Sequence, residues 1–333
     1  MCKVSVVLPF YNAESTLARA IESIQKQEMS DFELLLVDNN SSDDSKKVAL
    51  SFVSDDSRIQ LMEAAEQGVM HAFNCGLEKA QGRYIARMDA DDVALPNRLK
   101  SQADWLDDHP ETGLVAGLVR YEAHRKGTKG FQKYVNWVNS LVNWEAIQTS
   151  LFVESPIVNP TVMARKSLFD ELGSYRDGDF PEDYELLLRW AGKGVKMEKV
   201  PEEVLIWYDS DTRLTRTDSR YTDDAFYRVK AAYLAKWLRD NNRYHPKVWV
   251  WGAGKRSRKR VAMLENHQVT VEGYIDIVPE KTTLAACIYF EDLPDPGNLF
   301  VVSYVGNRGI RDKIRAFLVD RGYREGIDFI LAA

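Results

Sequence analysis

Cysteine is scarce in this chain, and the three present, Cys2, Cys75 and Cys287, are far apart and odd in number. They share no metal-type spacing, so neither a disulfide framework nor a zinc site is expected, and the thiols read as reduced, as in a cytosolic-type protein. Long apolar runs are missing as well, since nothing approaches the roughly 20 apolar residues of a bilayer span. The start Met1-Cys2-Lys3 leads directly into strand-like sequence that soon reaches Pro9, Asn12 and Glu14, without the apolar stretch of about 7 to 15 residues that marks a signal peptide. A protein of this kind working at a membrane is expected to lie against it. Net positive charge is lacking too. The balance of 44 Lys and Arg against 50 Asp and Glu gives -6, which excludes a whole-molecule electrostatic grip on nucleic acid and leaves room only for a local basic patch. No internal repeat or low-complexity tract occurs. What is present is an ordinary globular composition over 333 residues, enough for two domains of roughly 150 residues each.

The first hundred residues alternate short apolar runs with helical periodicity, the pattern of parallel βαβ units. Val4 to Leu8 reads as a strand ending at Pro9, and Leu17, Ala20, Ile21 and Ile24 share one face of a helix over Ala13 to Gln25. Phe32 to Val37 is a second strand, followed by the turn Asp38-Asn39-Asn40-Ser41-Ser42-Asp43 and a helix from about Asp44. Asn40 suits a backbone at positive φ where no glycine is supplied. Ile59 to Met62 predicts a third strand, Met70 to Ala80 a helix, and Arg83 to Met88 a fourth strand ending at Asp89, with a helix around Val93 to Leu106. Such strands deliver their C-terminal ends to one edge of the sheet, where ligands bind in open α/β folds. Farther on, Phe131, Tyr134, Trp137, Val138, Leu141 and Trp144 recur at helical spacing, Glu154 to Pro160 is loop-rich, and helices are expected at about Glu182 to Gly192 and Thr222 to Asp240. The polar stretch Asn241 to Pro246 reads as a linker. A second α/β start follows: Val248 to Trp251, the turn Gly252-Ala253-Gly254, a helix to Glu265 and a strand from Thr270 to Ile277. The expected domains are 1–244 and 245–333.

Three carboxylates in four residues, Asp89, Asp91 and Asp92, sit at the end of the fourth strand. At 4 Å and an effective dielectric near 20 each pair repels by about 4 kcal/mol unless the charge is cancelled. An oxygen-only set suits a Mn or Mg type ion, which keeps several waters and binds through one or two carboxylates plus substrate phosphates. Asp92 equally fits a cap for the helix expected at Val93. Asp38, on the same edge, fits an acceptor for a base N–H or ribose hydroxyl and fits an Asx-turn as well. Phe10 and Tyr11 offer aromatic faces for stacking or packing. Glu182 and Asp183 open a helix, where the dipole alone attracts acids.

Together, Ser5-Val6-Val7-Leu8-Pro9-Phe10-Tyr11-Asn12, Leu36-Val37-Asp38-Asn39-Asn40-Ser41-Ser42-Asp43, Gly82 through Asp92, and Glu182-Asp183 resemble family 2 glycosyltransferases of the GT-A fold, over about residues 3 to 215. The resemblance implies an α/β, GT-A type nucleotide-diphospho-sugar transferase domain with a mostly parallel central sheet, followed by a smaller Rossmann-like α/β domain. It implies donor contacts at Pro9, Tyr11, Glu14, Asp38, Arg87 and Asp89, with Asp38 on the uracil or ribose beside Tyr11. Asp89 and Asp91 become the DxD pair that holds the ribose and a Mn or Mg ion on the diphosphate, Asp183 the general base, and Glu182 the residue that positions it or the acceptor. A departing nucleoside diphosphate needs the charge stabilisation that a metal supplies. One base opposite the leaving group suffices for a single displacement, so inversion is expected, unlike glycoside hydrolysis with its paired carboxyl groups. Asp38-Asn39-Asn40 departs from the Asp-Asp-Gly or Asp-Asn-Gly common in the family, and Asn159 stands where a His often precedes the Pro. Arg213-Leu214-Thr215 resembles a late segment that closes over the diphosphate, and equally a solvated basic loop.

Gly252-Ala253-Gly254, with Ser257 in place of the third glycine and Asp276 about 20 residues on, resembles the dinucleotide fingerprint. Lys255, Arg256, Arg258, Lys259 and Arg260 crowd the helix start, unlike a site that relies on backbone N–H groups, so a Rossmann-like fold without ligand is the default expectation. The five cations suit a solvated face, or an anionic partner such as lipid headgroups or the diphosphate of a lipid-linked acceptor. The function expected is metal-dependent, inverting transfer of a sugar from a nucleotide donor, UDP-linked, to a saccharide or lipid-linked saccharide hydroxyl. The setting expected from the resemblance is surface-polysaccharide assembly, in the cytoplasm or at the inner face of the membrane, with no nucleic-acid partner. Acceptor choice is expected from Arg120 to Asn159. A sugar-nucleotide-forming nucleotidyltransferase is the alternative, but it would show a Gly-rich basic loop after the first strand, and Phe10 to Ser15 has neither feature. A non-catalytic nucleotide-sensing or scaffolding protein is the second.

Overall fold

Residues 2–123, 129–209, 213–278 and 286–333 are described by the structure, a computed structural model. In chain order the elements are β1 (Val4–Phe10), α1 (Leu17–Gln25), β2 (Phe32–Asp38), α2 (Ser45–Asp55), β3 (Ile59–Glu63), α3 (Val69–Lys79), β4 (Tyr84–Arg87), β5 (Val93–Ala94), α4 (Arg98–Asp108), β6 (Thr112–Ala123), α5 (Lys129–Ser140) and α6 (Trp144–Ser150). They continue with β7 (Met163–Arg165), α7 (Lys166–Leu172), α8 (Glu182–Ala191), β8 (Lys196–Asp209), α9 (Leu214–Thr217) and α10 (Asp223–Asn241). The last are β9 (Lys247–Trp251), α11 (Lys255–Glu265), β10 (Thr270–Asp276), β11 (Ala286–Tyr289), β12 (Val301–Ser303), α12 (Arg308–Asp320) and β13 (Phe329–Leu331).

Two compact units result. Met1–Ile147, Pro156–Gly178 and Lys193–Thr217 form the first; Gln148–Ser155, Asp179–Gly192 and Asp218–Ala333 form the second. Packing thus groups α8 and α10 with the C-terminal sheet, whereas the change of fold type expected near residue 245 falls between α10 and β9.

The first unit is built on an eight-stranded sheet of order β3-β2-β1-β4-β7-β6-β8-β5. β1, β2, β3 and β4 run parallel to one another, and β6 is parallel to β8. The short strands β7 and β5 run antiparallel. The alternation of a strand decides what each face holds. Val4, Val6, Leu8 and Phe10 of β1, with Leu34 and Leu36 of β2, join Leu17, Ile21 and Ile24 of α1 and Leu99, Ala103 and Leu106 of α4 in one core. On the other face Gly76 lets α3 lie directly on the sheet, because a Cβ there would stand 2.6 Å from Val7 and 3.0 Å from Val37.

Two expectations are corrected. The first helix starts at Leu17 rather than Ala13; before it the chain forms a turn in which the N–H groups of Ala13 and Glu14 are bound by Ser45 Oγ (2.8 Å) and Asp43 Oδ2 (3.1 Å). Val93 and Ala94 form β5 against β8, pairing with Ile206 and Leu205, so the fourth helix begins only at Arg98.

The second unit carries an all-parallel sheet of order β11-β10-β9-β12-β13, a Rossmann-like arrangement. Its glycine turn has Gly252 at φ 105°. The Asp276 carboxylate accepts from the N–H of Ala253 (2.7 Å) and of Val278 (3.1 Å), closing that turn from within. Among the described residues no helix is long and apolar enough to cross a membrane.

Candidate functional site

The C-terminal ends of β1 and β2 are adjacent, and their loops are stitched together. Asn12, at φ 47°, accepts from the N–H of Ser42 (2.8 Å), while its own N–H donates to Ser41 Oγ (3.1 Å). Glu14 accepts from the N–H of Asp44 (3.1 Å), so its carboxylate holds the start of α2. Pro9 lies within β1 opposite Val37, and Tyr11 just beyond is 53% exposed. Asp38 is buried, and its Asx-turn reading is realised. Its Oδ1 accepts from the N–H of Ser41 (3.0 Å), an Asx-type turn, and its Oδ2 accepts from no described residue. Asn40 has φ 63°, as expected of an asparagine standing in for glycine.

β4 delivers the acidic turn, which links the middle of the sheet to β5. One carboxylate oxygen each from Asp89, Asp91 and Asp92 lies within 4.8 Å of the others. Arg87, buried, donates from Nε to Asp89 Oδ1 (2.8 Å), and its guanidinium lies 5.3 Å from the Phe73 ring and 5.8 Å from that of Tyr175. Tyr175 donates to Asn159 Oδ1 (2.7 Å). Asp91 is half-buried, and Arg19 donates to its carbonyl (2.9 Å). Burial and then the Asp89 charge push the Asp91 carboxyl above its usual range.

Asp92 caps no helix. It is wholly buried, its Oδ1 accepts from the N–H of Tyr208 on β8 (3.0 Å), and its Oδ2 has no partner. Burial, followed by the Asp91 charge, raises this carboxyl well above the usual range. A buried, unbonded carboxylate oxygen is costly. Here it belongs to a set of three hard oxygen donors, with soft ligands absent, which suits a Mn or Mg type ion. A bound cation would also reverse the upward drift of these carboxyls, since it favours their ionised form.

Arg213 faces the same carboxylates: its charge favours the ionised forms of Asp91 and Asp92, and its guanidinium stacks 4.2 Å above the Trp207 ring. Of the proposed late segment, the Leu214 side chain lies outside the described residues. Arg216 anchors α9 by an ion pair to Asp209 (2.6 Å), which also accepts from Tyr121 Oη (2.6 Å). Burial raises the Asp209 carboxyl, but these two hydrogen bonds outweigh it and the net shift is down. Of the stretch expected to choose the acceptor, 124–128 lie outside the described residues.

Glu182 and Asp183 open α8, in the second unit. Glu182 is buried and accepts from Tyr221 Oη (2.7 Å), whose phenol is pushed far up by burial and then by the Glu182 charge. Asp183 is half-buried and accepts from the N–H of Tyr184 (2.7 Å), the helix-start role that a dipole argument anticipates. The five-residue basic patch is reduced. Lys259 pairs with Asp224 (2.7 Å), and Arg260 stacks over Tyr227 (3.9 Å) and donates to Tyr304 O (3.2 Å). The side chains of Lys255, Arg256 and Arg258 make no ion pair or hydrogen bond among the described residues.

Sequence reasoning did not find Arg19, Trp207, Asp209 or Arg98. For Arg98 a signal exists: it and Gln102 are polar residues on the helix face that carries Leu99, Ala103 and Leu106.

Comparisons with known proteins agree with this layout. The family model described as "Glycosyl transferase family 2" matches residues 5–173. The putative glycosyltransferase EpsE of Bacillus subtilis is 30% identical over 241 residues, 70% of this chain and 83% of that protein. The amylovoran biosynthesis glycosyltransferase AmsE of Erwinia amylovora is 27% identical over 235 residues, 68% and 85% of the two chains. An uncharacterized glycosyltransferase of Rickettsia bellii is 31% identical over 169 residues, 51% of this chain, and the match spans only 23% of that protein's length. Two solved structures share the fold: TarS of S. aureus (TM-score 0.53, 17% identity, 80% of this chain and 71% of that one) and the mannosyltransferase PcManGT of Pyrobaculum calidifontis, in complex with GDP-Man and Mn2+ (TM-score 0.54, 18%, 80% and 73%).

Proposed function

Because the chain belongs to glycosyl transferase family 2 and has the GT-A fold, we propose that it is a metal-dependent, inverting glycosyltransferase that moves a sugar from a UDP-linked donor to a saccharide hydroxyl in surface-polysaccharide assembly. The observation that carries this reading is the partnerless buried oxygen of Asp92 within the Asp89, Asp91 and Asp92 cluster at the strand ends. Tyr11 stacks on the base, and Asp38 accepts from the base N–H or the ribose. Asp89, oriented by Arg87, takes the ribose side, and Asp89 and Asp91 hold a Mn or Mg ion. When bound, such an ion spreads the charge that gathers on the departing diphosphate. Arg213 adds a fixed positive charge to the same carboxylate-lined edge.

Asp183 removes the proton of the acceptor hydroxyl. The hydroxyl oxygen bonds to the anomeric carbon as the bond from that carbon to the phosphate oxygen breaks on the opposite face, so the configuration inverts and the nucleoside diphosphate leaves. Glu182, tied to Tyr221, sets the first turn of α8 beside that base. The polysaccharide setting is supported by AmsE, named for amylovoran biosynthesis. We assign the exposed cations of α11 to the anionic part of a lipid-linked acceptor. Release of UDP from UDP-sugars with Mn2+ tests the reading. Asp183→Asn is expected to abolish transfer to acceptor with donor affinity within about twofold of wild type, and transfer at the wild-type rate refutes the assignment of the base.

A further inference from the structure

Arg98 opens α4 with its side chain completely buried, yet among the described residues it makes no ion pair. Its donors go to the carbonyl oxygen of Arg87 (2.5 Å), to Met88 Sδ (3.2 Å) and to Gln102 Oε1 (3.2 Å). Gln102 in turn donates to the carbonyls of Thr161 (2.7 Å) and Val115 (3.3 Å), which fixes it and the guanidinium it holds. A buried charge without a counter-charge carries a steep desolvation penalty, and an apolar side chain of similar volume fills such a space without it. The carboxylates whose fields favour the charge are Asp89 and Asp92, members of the cluster described above. Arg98 therefore pins the last carbonyl of β4, immediately before the acidic turn, and places an immobile positive charge close to that turn.

We propose that Arg98 is a positioning residue that makes cation binding at Asp89, Asp91 and Asp92 depend on the nucleoside diphosphate. Its fixed charge weakens the hold of the three carboxylates on a lone divalent cation, and the two phosphates of the donor supply the negative charge that restores the hold. Ion and nucleotide then enter as a coupled pair, each raising the affinity for the other by the same factor. The proposal rests on the metal-dependent reading of the site and specifies how that site is loaded. It also explains why the charge is retained in a buried place where a neutral residue packs more cheaply.

Counting free Mn2+ by electron paramagnetic resonance, with the full chain and with or without UDP, tests it apart from activity. Wild type is expected to bind Mn2+ about tenfold or more tightly when UDP is present. Arg98→Met is expected to bind Mn2+ alone about tenfold more tightly, from the removal of one nearby unit charge, so that the lone ion is held without waiting for UDP. Arg98→Lys keeps the charge and is expected to stay within about twofold of wild type in both conditions. Circular dichroism melts establish that each variant is folded, and Arg98→Gln, which keeps a donor for the Arg87 carbonyl, replaces the methionine variant if that one is not. A folded neutral variant with unchanged Mn2+ affinity overturns the proposal, and so does a lysine variant that binds Mn2+ tenfold more tightly. A wild type that binds no Mn2+ even with UDP overturns the metal-dependent reading as well, a pattern distinct from one in which binding is intact but indifferent to residue 98.

Discussion

Replacing Asp92 by asparagine separates the electrostatics of the acidic turn from its shape. Asparagine keeps an oxygen for the N–H of Tyr208, now at 3.0 Å from Asp92 Oδ1, and removes one of three carboxylates whose oxygens lie within 4.8 Å of one another. Burial, and then repulsion from Asp91 of about 3.5 kcal/mol for two ionised carboxylates at 4.8 Å and an effective dielectric of about 20, keep Asp92 protonated to a higher pH. The folded pKa lies above the unfolded one. Over the interval between them the folded state holds more protons, so stability falls as pH rises through it, by up to about 1.4 kcal/mol per pH unit. The asparagine variant lacks this slope and is expected to be more stable than wild type at pH 8 by roughly 1 to 3 kcal/mol without metal. Urea unfolding at pH 5.5 and 8.0, with and without Mn2+, measures both quantities. Mn2+ is expected to stabilise wild type more at pH 8 than at pH 5.5 and to stabilise the variant less than half as much. An unchanged pH slope, or equal stabilisation of the two proteins by Mn2+, refutes the reasoning.

Gly76→Ala places a methyl 2.6 Å from Val7 Cγ1 and is expected to destabilise the first unit by about 1 to 3 kcal/mol in urea unfolding; no loss means that α3 shifts freely on the sheet. Lys199 is buried without an acidic partner, donates to the carbonyl of Val138, and burial draws it down to about 7. The unfolded state then holds the extra proton between about pH 7 and 10, so wild-type stability rises with pH there, and Lys199→Met is expected to lower that slope by up to about 1.4 kcal/mol per unit, read from urea midpoints at pH 7.5 and 9.5. Neutralising Lys255, Arg256 and Arg258 together is expected to reduce sedimentation with anionic liposomes at low salt, each contributing about 1 kcal/mol; equal sedimentation removes the assignment of α11 to an anionic acceptor.

The β1 to β4 half of the first unit was legible because β1, β2 and β4 each end at a chemically distinctive turn. Tyr11, Asp38 and Asp89 mark the ends of β1, β2 and β4 in the residue string itself, and the runs before them are mainly apolar, with polar residues at Ser5, Glu33 and Arg87. The other half of the sheet was not legible. β8 contains Pro201-Glu202-Glu203, which reads as a break, and the structure accommodates it as an irregularity in the register between Gly117 paired with Val200 and Leu118 paired with Glu203. β5 and β7 are two and three residues long, too short for any period to show, and their antiparallel direction comes from long-range pairing. The same limit hid Arg98. Charge patterning sends an arginine to solvent by default, and its burial is met by the strand-end carbonyl of Arg87, eleven residues away in sequence, together with Met88 and Gln102.

The closed turn of Asp276 bears on how the second unit came to keep its glycine turn. In a phosphate-binding loop the backbone N–H groups are held in readiness for an anion that arrives and leaves. Here the N–H of Ala253 already has a permanent anion, supplied by the neighbouring strand at 2.7 Å. A phosphate reaching that group would compete with a tethered carboxylate of its own sign, whose effective concentration no free solute matches. The glycine turn thus acts as an internal clasp between β9 and β10, retaining the geometry of a nucleotide loop while the partner it grips is part of the same chain.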